Sequence, residues 1–210
     1  MLPQVLSIQV SDVQPLWVPR GTERVQVMSG IRKHAISTIN QPTPVAVKKL
    51  GLQGDEQADL SVHGGLDKAV YVYPVERYPR WEAELSQIRQ TQPPTDGLPL
   101  PLPLGAFGEN LTVSGIQEED VWIGDRWLLG ECVLRVESPR RPCYKFSALL
   151  GWPGASRYMM QHGLTGWYMS VEQPGEIRAG DTVQVIAGNR QTSLAERIRQ
   201  MTRRVDLRDD

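Results

Sequence analysis

Long hydrophobic runs are missing from this chain. No apolar stretch approaches the roughly 20 residues that a helix needs to span a bilayer, and "MLPQVLSIQV" has neither the cationic start nor the long apolar centre of a secretory leader. A cytoplasmic location without a membrane partner is the expectation. A basic excess is missing too, with 23 Lys plus Arg against 24 Asp plus Glu. That balance argues against a dedicated nucleic-acid binder. Cysteine is scarce. Two in 210 residues exclude the disulfide framework of a small secreted fold. The three histidines, His34, His63 and His162, are scattered. No CxxC or HxxxH spacing occurs, which speaks against a zinc site of about four soft or imidazole ligands.

What the chain does have is a hydrophobic fraction of 40%, enough to bury a sizeable core. The runs "VLSIQV" (5–10), "ERVQVM" (23–28) and "VAVKKLG" (45–51) are short, β-branched and bounded by turn residues, so they read as strands. In "KAVYVYP" (68–74) the valines alternate with Tyr71 and Tyr73, which predicts a strand covered on both faces. A helix follows: Pro79 suits its first turn, and Trp81, Leu85 and Ile88 share a face. The proline-rich stretch 91–104 denies backbone donors to any central strand and reads as a surface excursion or a lid. "ENLTV", "DRWLLG", "CVLRVES", "GWYMSV" and "DTVQVI" resume the strand pattern. Between them, 144–163 has helical spacing in two pieces, broken at Gly151 and Pro153. Ser193 and Glu196 form a capping-box pattern ahead of Leu194, Ile198 and Met201. The whole reads as a mixed, mainly β chain: a β-barrel over 1–187 with small helices in its connections, then a short C-terminal helical tail over 188–210.

Three stretches carry chemistry. Cys132 alternates with Leu134 and Val136 and reads as a small buried hydrophobe. Cys143 differs, because "SPRRPCYKF" surrounds it with Arg140, Arg141 and Lys145. Pro142 fits a first helical position, which sets the thiol beside free N–H groups. Those effects favour the thiolate, the form that attacks electrophiles or binds metal. The alternative is a buried thiol whose arginines face solvent. In the second stretch, His63-Gly64-Gly65 is followed by Lys68. The glycines let backbone approach a bound group and the lysine offers a matching charge, so the loop is either an anion cradle or a plain turn. In the third, Glu109-Asn110 of "FGENL" opens a strand; Asn110 either bonds a heterocycle or closes the turn.

In order along the chain, "GLQGDEQADLSVHGGLDKAVYVYP", "FGENL", "IGD", "SPRRPCYKF" and "GWYMSV" resemble the MOSC domain in its YiiM-like branch. The resemblance runs from about residue 50 to 186. It implies a MOSC-type β-barrel that binds the molybdenum cofactor, a pterin with a dithiolene and a phosphate. Cys143 falls on the cysteine expected to ligate molybdenum, which makes it the catalytic and metal residue. His63, Gly64, Gly65 and Lys68 fall on a loop expected to line the cofactor pocket. Glu109, Asn110, Arg140 and Lys145 match positions expected to bind the cofactor. Departures are Arg141, where a small residue is more usual, the long proline-rich insertion, and the 24 residues after Ile186, where such proteins often carry three helices.

Two functions follow from the resemblance. One is a molybdenum-dependent oxidoreductase that reduces small N-hydroxylated compounds, hydroxylaminopurine-type or similar, to amines. Cys143 would hold the metal and His63 would be a proton source. A separate flavoprotein or iron–sulfur protein would donate electrons, since no flavin or haem motif is present. The other is a cofactor or sulfur carrier with Cys143 as persulfide or holding thiol. A hydrolytic pair of Cys143 with His63 is a third reading that needs no resemblance.

Overall fold

The structure is a computed structural model that describes residues 2–58, 64–94 and 96–206. In chain order its elements are β1 (Gln4–Val10), β2 (Gln14–Arg20), β3 (Glu23–Ser29), β4 (His34–Thr38), β5 (Val45–Lys48), β6 (Gly51–Leu52), β7 (Val70–Pro74), α1 (Tyr78–Thr91) and β8 (Leu111–Ser114). There follow β9 (Arg126–Leu129), β10 (Cys132–Pro139), α2 (Tyr144–Leu150), α3 (Ala155–Gln161), β11 (Trp167–Gln173), β12 (Gly175–Ile177), β13 (Gln184–Ile186) and α4 (Leu194–Asp206). Eight strands make a curled half-barrel in the order β13-β9-β10-β11-β7-β8-β1-β4. The mainly β, MOSC-type architecture is as the sequence predicts. Among the described residues no helix is long and apolar enough to cross a membrane.

β7 shows why the pattern worked. Val70 and Val72 enter the main apolar core, while Tyr71 and Tyr73 enter a second, aromatic cluster on the other face. The strand is the wall between two cores, so both of its faces had to be apolar. β10 alternates as expected, with Cys132 at 1% exposure and Leu134 and Val136 at 0%.

β7 and β8 are parallel neighbours in an otherwise antiparallel sheet. Parallel strands require a long crossover, and α1 with the proline-rich stretch supplies it. That stretch is therefore not the surface excursion it resembles. Leu102 is 6% exposed, and Leu98, Leu100 and Leu104 pack against the aromatic cluster. Leu102 N donates to Glu82 Oε1 at 2.7 Å, and Arg89 Nη2 to Leu98 O at 2.8 Å. It is a strap across α1, and the prolines stand where no ladder bond is demanded.

β2 and β4 went unread in the sequence. "QPLWVPR" carries Pro15 and Pro19, yet β2 pairs with β3 alone in a two-stranded ribbon. A proline nitrogen facing the open edge of such a ribbon costs no hydrogen bond. The 45–51 run divides into β5 and β6, which pair across a tight hairpin. At the C-terminus the capping box forms: Glu196 N donates to Ser193 Oγ at 3.2 Å and Ser193 N to Glu196 Oε2 at 3.4 Å. Leu194 and Ile198 then plug into the main core.

Candidate functional site

β10 delivers the chain to the site. After Pro139 the backbone runs out through Arg140 to Cys143, and α2 begins at Tyr144. Pro142 is thus not the first helical residue. Cys143 is itself the N-cap, extended at φ −123° and ψ 173°, and its side chain makes no capping bond. Its carbonyl accepts from Phe146 N at 2.9 Å, which leaves the sulfur to be directed by other neighbours. Neither cysteine is in a disulfide.

Arg140 turns inward. It is only 6% exposed, with its guanidinium over the rings of Tyr71 at 4.7 Å and Phe146 at 5.1 Å. Nη1 donates to the carbonyl of Phe107. Burial works against the charge, but Tyr71 and Tyr168, with a hydrogen bond to Tyr71, outweigh it and hold the group above its ordinary pKa. A thiolate at Cys143 acts in the same direction on Arg140 and lifts Tyr168, whose phenol is raised chiefly by burial. Arg140, Tyr168 and Cys143 are therefore electrostatic neighbours. The charge of Arg140 is balanced by dipoles and ring faces among the described residues, an arrangement that favours an anion alongside it.

These residues wall a hollow shared with the end of β3, the 55–58 segment, Gly64 and Lys68. Lys33 enters it with its side chain 6% exposed, in contact with the Asp55 carboxylate at 4%. Burial pulls the Lys33 pKa down, and Asp55 only partly restores it. Asp55 Oδ1 also accepts from Ser11 N at 2.9 Å, and its Oδ2 accepts from Asn110 Nδ2 at 2.8 Å. Asn110 is fully used: its Oδ1 accepts from Tyr71 N at 3.0 Å and its Nδ2 reaches Gln9 O at 3.3 Å. It buckles β1, β7 and the 55–58 segment together. Gly30 allows that segment to close in, because a Cβ there would stand 2.3 Å from Glu56 O.

Counting the lining, Lys33, Lys68, Arg140 and Lys145 face Asp55 and Glu56, four cations against two carboxylates. Lys145 is anchored by donating to Met28 O at 2.9 Å. Of the residues expected from sequence, the hollow gathers Gly64, Lys68, Asn110, Arg140, Cys143 and Lys145. Gly65 instead caps the short turn Leu66–Lys68. Glu109 stands behind the wall at 0% exposure. It accepts from Tyr78 Oη, from Gly105 N at 2.9 Å, from Phe107 N at 3.0 Å and from Thr112 Oγ1 at 2.8 Å. It holds the "FGENL" turn in shape. His63 lies outside the described residues.

A family model of the MOSC domain matches residues 59–184. The chain belongs to the MOSC domain family. Protein YiiM of Escherichia coli is 34% identical over 166 residues, which cover 79% of this MOSC chain and 70% of that protein. The uncharacterized protein YflK of Bacillus subtilis is 41% identical over 143 residues, 68% of this chain and 59% of that one. A protein of Gibberella moniliformis named Reductase is 36% identical over 172 residues, 81% of this chain. The match spans 29% of the Gibberella protein, so this chain covers less than two thirds of that relative and of YflK. The crystal structure of YiiM from Geobacillus stearothermophilus superposes with a TM-score of 0.72 at 28% identity, covering 97% of this chain and 86% of that one.

Ser29, Gly30, Ile31, Lys33 and Asp55 precede the matched span. The MOSC hollow is thus completed by residues that the family motifs did not flag. Tyr71 and Tyr168 lay inside recognised stretches but passed as strand residues. Lys33 had no local signal at all.

Proposed function

We propose that this MOSC protein is a molybdenum cofactor-dependent reductase of N-hydroxylated compounds, with Cys143 as the metal ligand. The observation that carries this reading is a cysteine at the edge of a hollow where cations outnumber carboxylates. Relatives named YiiM and Reductase support it.

The residues fit the group. A soft thiolate suits a soft, redox-active metal. The buried charge of Arg140, with Lys68 and Lys145, suits the anionic phosphate and dithiolene. No three His, Cys, Asp or Glu side chains cluster as a metal cage among the described residues, so Cys143 would share the metal with sulfur brought by the cofactor. When bound, the molybdenum cofactor supplies a centre that passes two electrons to the substrate.

The balance is R–NHOH plus two electrons and two protons, giving R–NH2 and water. The N–O bond breaks, nitrogen is reduced, and oxygen leaves as water. The electrons come from a separate flavoprotein or iron–sulfur protein. For the protons, Lys33 is placed against Asp55 in the hollow with its pKa lowered by burial, and His63 is the second donor. Arg140 keeps its charge throughout, so it steadies anionic groups and transfers no proton.

The test is expression with an intact cofactor supply, followed by assay with a chemically reduced dye and an organic hydroxylamine. Wild type turns over, and Cys143→Ala does not while keeping its fold. Protein that is loaded with cofactor yet inert under every donor would be a carrier or transferase instead.

A further inference from the structure

Cys143 lines a second depression as well as the cationic hollow. Its walls are rings: Trp17 and Pro19 from β2, Pro142 and Tyr144 around the start of α2, and Trp152 and Pro153 between α2 and α3. Trp17 is 47% exposed and Tyr144 58%. Two such residues facing one groove, outside both apolar cores, call for an occupant. The groove is also built. Leu16 and Val18, at 2% and 3% exposure, anchor β2 from its other face. Arg24 lies over the Trp17 ring at 5.8 Å and pairs with Asp96. A Cβ at Gly154 would stand 2.7 Å from Trp152 Nε1, so that indole rests against the glycine. Ser156 Oγ, from the groove floor, donates to Cys143 O at 3.1 Å.

We infer that this groove holds the flat ring of a neutral aromatic N-hydroxylamine, with its N–O end toward Cys143. The inference rests on the reductase reading above and adds a substrate class and the residues that select it. The two depressions divide the chemistry: the hollow has surplus positive charge for an anionic cofactor, whereas in the groove Arg24 and Asp96 cancel. An uncharged guest with a π-face matches what the groove offers, because stacking tolerates any flat ring and needs no counter-ion. Trp17 comes from the hairpin, before the span matched by the family model, which makes it a specificity-determining residue of this chain.

Adenine, an aromatic amine of the product class, is the probe, with cyclohexylamine as the saturated control. Saturation-transfer NMR reads ring contact without turnover. Adenine is expected to bind and cyclohexylamine not to. Trp17→Ala should weaken adenine about tenfold, the worth of one lost stacking partner, with molybdenum content equal to wild type. In turnover, KM for an aromatic N-hydroxylamine should rise by a similar factor relative to KM for hydroxylamine itself, with kcat nearly constant. Tyr144→Ala is the second variant and should weaken adenine in the same way. Equal adenine binding by wild type and both variants overturns the groove, as does cyclohexylamine binding as tightly as adenine. If wild type binds no molybdenum and reduces nothing, the reductase reading fails separately, and the adenine titration still decides whether the groove takes rings.

Discussion

Cys132 and Cys143 are eleven positions apart and differ in almost everything that governs a thiol. Burial, then the nearby Glu131 and Asp181, pushes Cys132 up to about 11, so at neutral pH it is a protonated core atom. Cys143 sits at a helix N-cap beside a buried guanidinium. Cofactor-free protein treated with iodoacetamide at pH 8 should therefore gain one adduct, mapped to Cys143 by mass spectrometry, with Cys132 modified only after unfolding. Native labelling of Cys132 would contradict its burial. Glu109 is the other residue whose role the fold redefines. Its carboxylate gathers two backbone N–H groups and two hydroxyls in a water-free setting. Glu109→Gln turns one acceptor into a donor facing donors, and it should lower the unfolding free energy by about 2–3 kcal/mol, read from the urea midpoint.

Among elements, α4 illustrates how a helix read as a tail becomes part of the core. Its capping box and apolar stripe were legible because both are local patterns. Its docking onto β10 was not, because nothing in "SLAERIRQM" names a distant partner. Ile198 is 4% exposed within the main cluster, so Ile198→Ala should cost about 2–4 kcal/mol in a single cooperative urea transition. An early, separate melting of the helix would show that it is not integral. The same distinction between local and distant explains β2 and the strap. Proline density in both hid what their alternating apolar residues do, which is to pack. At Gly30 the 55–58 segment comes too close for any side chain. Gly30→Ala should push Asp55 away from Lys33 and lower molybdenum retention several-fold, measured against wild type in parallel preparations.

Across the whole molecule, the curled sheet brings together what the sequence separates. Lys68, Arg140, Cys143 and Lys145 could be picked out because each belongs to a short recognisable motif. Lys33 and Asp55 could not be paired, since 22 positions of chain lie between them and only the approach of the segments before β4 and after β6 makes them neighbours. The division into a charged hollow and an aromatic groove was equally invisible, because it arises where a hairpin, a strap and a helix start converge on one sulfur. Metal and pterin analysis of freshly purified protein, wild type beside Cys143→Ala, tests that convergence most directly. About one molybdenum with pterin per wild-type chain is expected if the thiolate is the ligand, falling at least tenfold in the variant while its melting temperature stays within about 3 °C. Wild type without molybdenum, or a variant that retains it fully, would contradict the assignment of Cys143.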